Sequence, residues 1–491
     1  MKKYIIIIVS CVSLSGTALA QNAHDALLFS RHYAGGTARS AGMSGAFGAL
    51  GGDVSALSTN PAGLAVYRGT EFTFTPALNI ASTNANYDGV RFRDNDTRFI
   101  FNSIGYVFTR NRHNETGLMS INFGFAYNRL SDFNSAGYVR KQSASSSLLD
   151  EFVLHANRNN GLNPFYEGLA WDVNAIWDDD GEFIHDYILE GRYGQPLFRS
   201  MSYRGGIGEY GFSMGLNFNH NLYFGATLGI QELSYRERFI HEESPGSGFE
   251  FLNNFRFSDE YTVNGWGLNF KAGVIYRPIQ MLRLGAAVHT PTRLWLRPYH
   301  LTSMGTTFNK SPLDDGTRRF YYETESDPSE RYQLTTPWRF NFSAATVIGS
   351  VGIVSVDVEY VDYKKNIITP RRDYDFENAE ITVLLRPAVN VKTGAEFRLG
   401  PLFLRGGMAI YGNPYNKNQF DADIQKTLTS TISYSAGIGF RNRDFYIDVA
   451  YSFMKQPERI INLYEFDHNW FEYARIRTNN NKALVTFGFR F

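Results

Sequence analysis

The feature that most constrains the fold is a two-residue alternation of side-chain character that recurs along the chain. At the C-terminus, residues 483–491 place Ala, Val and three Phe on one face and Leu, Thr, Gly and Arg on the other. The same period recurs at 119–127, 354–360, 432–440 and 445–453. A period of two indicates β-strands with one apolar side.

The polarity of the two faces bears on the architecture. A soluble β-sandwich also alternates, with its apolar face in a shared core and its polar face in water. Here one face is rich in Gly, Ser, Asn and scattered charges, the other in Phe, Tyr, Val and Ile, and aromatic residues make up 15% of the chain. This pattern favours a barrel whose outside meets lipid and whose lumen is wet. The sandwich is the alternative.

The connections between the strands differ in length on the two sides of the sheet. We predict fourteen strands over residues 69–491, joined on one side by turns of two or three residues such as 219–220 and 349–350. Long polar loops are expected at 84–95, 132–204, 242–255, 304–329, 366–377, 414–426 and 457–479. Short turns opposite long loops are typical of outer-membrane barrels. The predicted fold is therefore all-β: a fourteen-stranded antiparallel transmembrane barrel.

The N-terminus predicts export. Lys2 and Lys3 precede a mostly apolar stretch, and Ala18-Leu19-Ala20 supplies small residues for cleavage before Gln21, so residues 1–20 are expected to be a signal peptide. A lipoprotein with Cys11 in a loose lipobox is the alternative. Cys11 is the only cysteine, so the expected mature chain lacks thiolate ligands and nucleophiles.

Residues 21–68 do not alternate. This segment is dominated by Gly, Ala and Ser, with larger apolar residues such as Phe29, Met43 and Phe47 spaced through it. Small residues allow close packing of the backbone against a wall, and a barrel of this size has a lumen that is either open or plugged. We predict a compact lumenal plug; a flexible tail is the alternative.

Within this segment, Asp53 and Ala56-Leu57 are followed by Asn60-Pro61-Ala62 after a Gly/Ala run. Residues 36–65 resemble the N-terminal hatch of the outer-membrane long-chain fatty acid and aromatic hydrocarbon transporters. The resemblance implies a fourteen-stranded barrel with a hatch at 21–68, and passive uptake of hydrophobic molecules, with long-chain fatty acids as the expected ligand. It also implies sideways exit at a kink in the third strand, which the sequence does not place.

Two groups of residues are candidates for ligand binding. A fatty acid needs a cation for its carboxylate and an apolar slot for its tail. The candidate cations on the lumenal face are Arg339, Lys392 and Arg398. The candidate external capture site in the 132–204 loop comprises Leu148, Phe152, Phe165, Tyr166 and Trp171. The alternatives are a self-paired ladder of lumenal charges and simple packing of the loop over the barrel mouth.

Other functions have weaker support in the sequence. The ten His are scattered singly, without an arrangement for nucleophilic catalysis, so no enzyme is expected. No metal, cofactor or nucleic acid is expected, because 48 basic residues balance 48 acidic ones and 177–182 lacks calcium-loop spacing.

A monomer is expected, with membrane lipid as its surroundings. Phe491 resembles the C-terminal signal read by the outer-membrane assembly machinery. A general porin or an adhesive surface barrel remains the competing hypothesis, and haem uptake a more distant one.

Overall fold

The computed structural model describes residues 23–33, 35–112, 116–159, 161–313, 315–326, 330–467 and 470–491. The predicted signal peptide, 1–20, lies outside these residues. Within them, fourteen antiparallel strands form a closed barrel, because the first strand pairs with both the second and the last. The predicted strand number and fold class are confirmed.

The strands are numbered here in chain order. They are β1 Glu71–Tyr87, β2 Val90–Asn111, β3 Leu118–Asp132 with Ser135–Lys141, β4 Leu197–Phe218, β5 Leu222–Glu243, β6 Leu252–Ile279, β7 Leu282–His289 with Arg293–Phe308, β8 Arg319–Glu325, Tyr332–Thr335 and Arg339–Ile348, β9 Gly352–Asp362 with Ile367–Thr369, β10 Pro387–Leu399, β11 Leu402–Tyr411, β12 Thr431–Arg441, β13 Phe445–Lys455 with Arg459–Asp467, and β14 Trp470–Arg490.

The barrel has the inverse polarity of a soluble protein. On β13, Phe445, Ile447 and Val449 are 38%, 37% and 41% exposed, whereas Asp448 between them is fully buried. Similar exposed Phe, Tyr, Val and Leu side chains occur around the wall, and the buried positions of the strands carry many polar residues. The apolar face predicted from the sequence is thus the outer face, and the polar face points into the lumen.

The helices lie before the barrel and in its loops. They are α1 Ala23–Ser30, α2 Ala38–Gly42, α3 Leu148–Arg158, α4 Glu167–Asp172, α5 Asp186–Leu189, α6 Asp375–Leu384 and α7 Ala422–Thr427, with 3₁₀ turns at Val54–Ser58 and Pro61–Val66 in the N-terminal segment. Among the described residues, no helix has the length and apolar character that crossing a membrane requires.

The predicted loop at 84–95 is wrong. β1 and β2 stay paired up to Tyr87 and Val90 and are joined by Asp88-Gly89, both with positive φ (49° and 78°). Asp-Gly with positive φ is the preferred two-residue hairpin turn. Above the apolar band the outer face of this hairpin becomes polar, with Asn84 and Asn86, while Ala85 and Tyr87 on the inner face are buried against the loops. The apolar outer face that marks the strands lower down is therefore lost although the backbone pairing continues.

The third connection is shorter than the predicted 132–204. β3 continues to Lys141 and β4 already begins at Leu197, and the residues between them fold into α3, α4, α5 and a small hairpin of Trp177–Asp179 and Glu182–Ile184. Ser147 caps α3, its side chain accepting from Leu149 N while Asp150 accepts from Ser147 N. This reciprocal cap fixes where α3 starts, and α3 packs its apolar face over the barrel mouth.

Candidate functional site

Residues 23–33 and 35–66 lie inside the barrel, where glycines on the wall make room for them. An ideal Cβ on Gly225 of β5 would lie 2.2 Å from the carbonyl carbon of Pro61, and one on Gly273 of β6 would lie 1.9 Å from Asn60 Oδ1. Gly215 and Gly407 meet hatch backbone in the same way. The hatch backbone therefore approaches the wall more closely than any side chain would permit.

Asn60 joins the hatch to the wall. Its Nδ2 donates to the carbonyl oxygens of Gly48 at 2.7 Å and of Val274 on β6 at 3.3 Å, and its Oδ1 accepts from Ala62 N at 3.2 Å. Pro61 occupies the first position of the 3₁₀ turn, where its missing N–H costs nothing. The Asn-Pro-Ala motif therefore closes this turn and anchors it to the barrel.

Buried charged residues join the opposite side of the hatch to the barrel wall through ion pairs and hydrogen bonds. Arg39 on α2 makes a two-pronged ion pair with Glu396 of β10, with both N···O distances 3.0 Å. Glu396 also accepts from Arg405 at 2.6 Å, and Arg405 contacts Asp448 at 2.7 Å. On β9, Asp357 accepts from the backbone N–H groups of residues 47 and 48 at 3.0 and 2.8 Å. Each of these lumenal carboxylates accepts hydrogen bonds from the hatch or from the wall.

The three predicted cations lie at different heights of the lumen. Arg339 pairs with Glu359 at 2.9 Å and also donates to the carbonyl of Ser30 in the hatch. Lys392 is half-buried and lines a cavity of 60 Å³ between hatch and wall, which has room for only a few water molecules. Arg398 is exposed at a short turn, where its Nε donates to Gly400 O at 3.0 Å. The structure does not bring them together, and their role toward a ligand stays a prediction.

A larger cavity of 260 Å³ lies at the barrel mouth, on the side of the long loops; we call it the mouth cavity. Of the predicted capture residues, Leu148, Phe152 and Tyr166 line it. Phe165 instead stacks on His300, with ring centroids 4.9 Å apart, and Trp171 is 44% exposed on the outer surface of the loop. The cavity thus unites three of the five residues, and their role in capture stays a prediction.

Sequence reasoning missed two polar residues of the mouth cavity, Arg199 on β4 and Glu151 on α3. Arg199 is 6% exposed; its Nη1 donates to Leu463 O at 2.6 Å and its guanidinium lies 4.0 Å from the ring centre of Phe239. Burial raises the pKa of the Glu151 carboxyl to about 8. Arg199 fell inside a predicted loop, and no local pattern marks an arginine whose surroundings come from distant segments.

The third strand leaves the wall part-way up. β3 pairs with β2 only as far as Asn128 opposite Ser103, and it is interrupted at residues 133–134. Its upper segment, Ser135–Lys141, pairs with β4, and across the described residues no backbone ladder joins it to β2. Asp132 stabilises the backbone next to this interruption: it accepts hydrogen bonds from Asn79 at 2.9 Å and from Arg129 at 3.0 Å.

The upper part of β3 passes inside the wall at this break. A Cβ on Gly137 would lie 2.8 Å from the Thr83 methyl group of β1, a lumenal side chain. Arg204 of β4 pairs with Asp96 of β2 at 2.6 Å. A window in the hydrogen-bonded wall therefore lies between β2 and β3. Side chains cross it: besides the Arg204–Asp96 pair, Lys141 pairs with Asp88 at 3.2 Å, and the rings of Phe92 and Tyr138 lie 5.6 Å apart.

Comparison with known proteins was made at the level of sequence and of fold. No family model matches the chain, and no curated protein does either. Three solved structures cover 94% of this chain and 99% of their own. A FadL homologue from Pseudomonas aeruginosa is 13% identical, with a TM-score of 0.55. The P. putida toluene transporter TodX is 13% identical (0.51), and the Ralstonia pickettii toluene transporter TbuX is 14% identical (0.50).

The chain has the fold of these transporters. Identities of this size establish the fold alone, and they confirm at that level the resemblance first indicated by residues 36–65. The closed barrel, the lumenal N-terminal segment and the break in β3 are features of this chain in its own right.

Proposed function

We propose that this protein is an outer-membrane barrel that admits hydrophobic small molecules by passive diffusion. Its exposed outer wall of Phe, Val, Ile and Leu supports placement in lipid, because a soluble protein exposing contiguous apolar surface of this extent would aggregate. The Lys2-Lys3 start and the Ala18-Leu19-Ala20 stretch support export through a signal peptide, and Phe491 supports insertion by the outer-membrane assembly machinery. A closed barrel has no free strand edge, which favours a monomer.

The observation that carries this proposal is the hatch inside the lumen. Residues 23–33 and 35–66 contact the lumenal wall, at Gly225 and Glu396 among other positions, and a cavity of 60 Å³ lies between them and the wall. A general porin needs a continuous aqueous channel instead. The packed hatch favours a gated passage over a porin or a purely structural barrel.

Long-chain fatty acids are the ligands we propose first. The mouth cavity combines an apolar lining, including Leu148 and Phe152, with a buried cation, which suits an amphiphile with a long alkyl tail. The solved structures of the same fold are named for FadL and for toluene transport, which keeps uncharged aromatic hydrocarbons as the second candidate. The window between β2 and β3 supports sideways exit into the membrane.

Two measurements test the proposal. In planar bilayers, the intact mature protein should show only low or transient conductance, whereas a steady large conductance would establish an open pore. Uptake of radiolabelled oleate should fall in a strain that lacks this protein and recover when the gene is restored. Unchanged oleate uptake together with reduced toluene uptake would replace fatty acids by hydrocarbons.

A further inference from the structure

The outer face of the barrel carries a group of cationic side chains above its apolar band, on the side of the long loops. Four adjacent strands form this part of the wall: β13, β14, β1 and β2. We call the group the outer basic patch; its members are Arg91, Arg93, Lys455, Arg475 and Arg477. Four of the five are exposed, and Arg477 is half-exposed.

The strand register places these side chains on one surface. Asn84 of β1 lies opposite Arg477 of β14 on one side and opposite Arg93 of β2 on the other. Asn86 lies between the next arginine of each neighbouring strand in the same way. Directly opposite residues of antiparallel strands point to the same face. Because Ala85 between them is buried beneath the loops, the arginines and the two amides all point outward.

The protein leaves most of this positive charge uncompensated. Among the described residues, no carboxylate oxygen lies within 4.0 Å of a side-chain nitrogen of the patch except that of Glu458, which is 3.8 Å from Arg477. Other acidic side chains nearby have their own partners: Asp88 pairs with Lys141 at 3.2 Å, and Asp423 pairs with Lys426 at 2.8 Å.

Outward arginines on another part of the wall are arranged differently. On β5, Arg236 and Arg238 both lie near Glu260 of β6, at 3.3 and 3.9 Å. On β6, Arg256 pairs with Glu242 at 2.8 Å. Acidic residues among the arginines compensate the charge there. The excess of positive charge is therefore a local property of the four strands that carry the outer basic patch.

The height of the patch indicates the kind of anion that it faces. On β1 the last apolar side chain of the outer face is Ile80, and Asn84 follows four residues later, about 13 Å further along the strand. With the tilt usual for such strands, this places the row of Asn84 about 10 Å above the apolar band. The polar layer of an ordinary bilayer is only about 5–7 Å thick on each side. A head group that reaches this row is thus taller than that of a simple phospholipid.

We propose that the outer basic patch binds the phosphate groups of a phosphorylated glycolipid in the outer leaflet of the membrane. The guanidinium groups match phosphate oxygens in pairs, and the amides of Asn84 and Asn86 donate further hydrogen bonds. The acyl chains of the lipid lie against the exposed side chains below the patch, Leu78, Phe99 and Phe101. This lipid is a permanent neighbour of the wall and not the transported molecule; the assignment rests on the proposed placement in the outer membrane.

The test counts lipids bound to the full-length mature protein in a non-ionic detergent by native mass spectrometry. The probes are diphosphorylated lipid A, the same glycolipid with both phosphates removed, and phosphatidylglycerol. The patch variant combines Arg91→Gln, Arg93→Gln and Arg475→Gln. The matched control combines Arg236→Gln, Arg238→Gln and Arg256→Gln, which removes the same number of outward arginines from paired strands. Assembly of each variant is checked by its heat-modifiable mobility.

The patch variant should bind diphosphorylated lipid A about 100-fold more weakly than the wild type, because each cation beside an anionic lipid surface contributes roughly a five-fold gain in affinity. The control variant should lose less than about five-fold, since acidic neighbours already compensate its arginines. The wild type should bind the dephosphorylated glycolipid and phosphatidylglycerol more weakly than diphosphorylated lipid A.

Equal wild-type affinity for the phosphorylated and dephosphorylated glycolipid overturns the proposal. An equal loss in both variants also overturns it, since total charge and not this patch would then control binding. Phosphatidylglycerol binding as tight as that of lipid A would overturn the assignment to a glycolipid. Oleate uptake and bilayer conductance test the proposed function separately: if uptake fails while lipid A binding persists, only that function is wrong. If the protein is absent from the outer-membrane fraction, its placement is wrong, and the lipid site falls with it.

Discussion

Gly225→Ala tests how the hatch is held in the barrel. The added Cβ would lie 2.2 Å from the carbonyl carbon and oxygen of Pro61 and 2.4 Å from Ala62 N, and these are backbone atoms that no rotamer change moves aside. Ordinary contact begins near 3.4 Å, so the Asn-Pro-Ala turn must move away from β5 by more than an ångström. That shift also breaks the hydrogen bond from Asn60 Nδ2 to Val274 O.

The magnitude follows from these two losses. Overpacking costs about 1–3 kcal/mol, and a lost hydrogen bond costs about 1 kcal/mol. Docking of the hatch should weaken by about 2–4 kcal/mol, which raises the undocked fraction about 30- to 700-fold. The barrel itself should assemble, because its strand pairing and outer face are unchanged.

Conductance in planar bilayers and limited proteolysis of the N-terminal segment measure the undocked fraction. We expect more frequent openings and faster cleavage before residue 70 in Gly225→Ala. Gly406→Ala is the matched control, since a Cβ on this strand glycine meets its nearest atom, Ser435 O, only at 4.0 Å. The reasoning would be refuted if Gly225→Ala opened as rarely and were cleaved as slowly as the wild type. If Gly225→Ala and Gly406→Ala showed equal effects, the cause would be the loss of any strand glycine and not the contact with Pro61.

Three further substitutions probe other contacts. Glu396→Gln leaves Arg39 without its buried carboxylate and should weaken hatch docking by about 3–5 kcal/mol; an unchanged urea midpoint for N-terminal proteolysis would contradict this. Asn60→Ala removes two donated hydrogen bonds and should alter oleate uptake without blocking membrane assembly; normal uptake would show that the motif has no part in transport. Arg204→Met removes the ion pair to Asp96 across the window, worth at most about 1 kcal/mol because Arg204 is a third exposed. Spin labels on the two sides of the window should then show a broader distance distribution, and an unchanged one would mean that the pair does not hold it closed.

The barrel was predictable from the sequence because the alternation of apolar and polar side chains is visible within the individual strands. A wall between an apolar exterior and a wet lumen requires alternation wherever it crosses the apolar layer, as Phe445 to Val449 illustrate. Beyond the apolar layer, a paired strand no longer needs an apolar outer face, and the alternation is lost. This is why the hairpin tip at Asp88-Gly89 and the upper segment Ser135–Lys141 were predicted as loops although their backbones are paired.

The hatch was predictable for a related reason. A segment of small residues ending in Asn60-Pro61-Ala62 indicates close backbone packing, and a lumen of this size offers a place for it. The partners of that packing were not predictable. Gly225 and Gly273 are two among many glycines of the strands, and only the closed barrel brings them to within contact of Pro61 and Asn60.

The sequence by itself thus determined the strand number, the two-faced wall and the presence of a plug, because these follow from neighbours along the chain. The tertiary structure decided which charges are compensated. Arg339 looked available for a ligand but pairs with Glu359, whereas Arg199, hidden in a predicted loop, lines the mouth cavity with its Nε unmatched. Whether a buried charge has a partner depends on distances between strands far apart in sequence, and no local pattern records those distances.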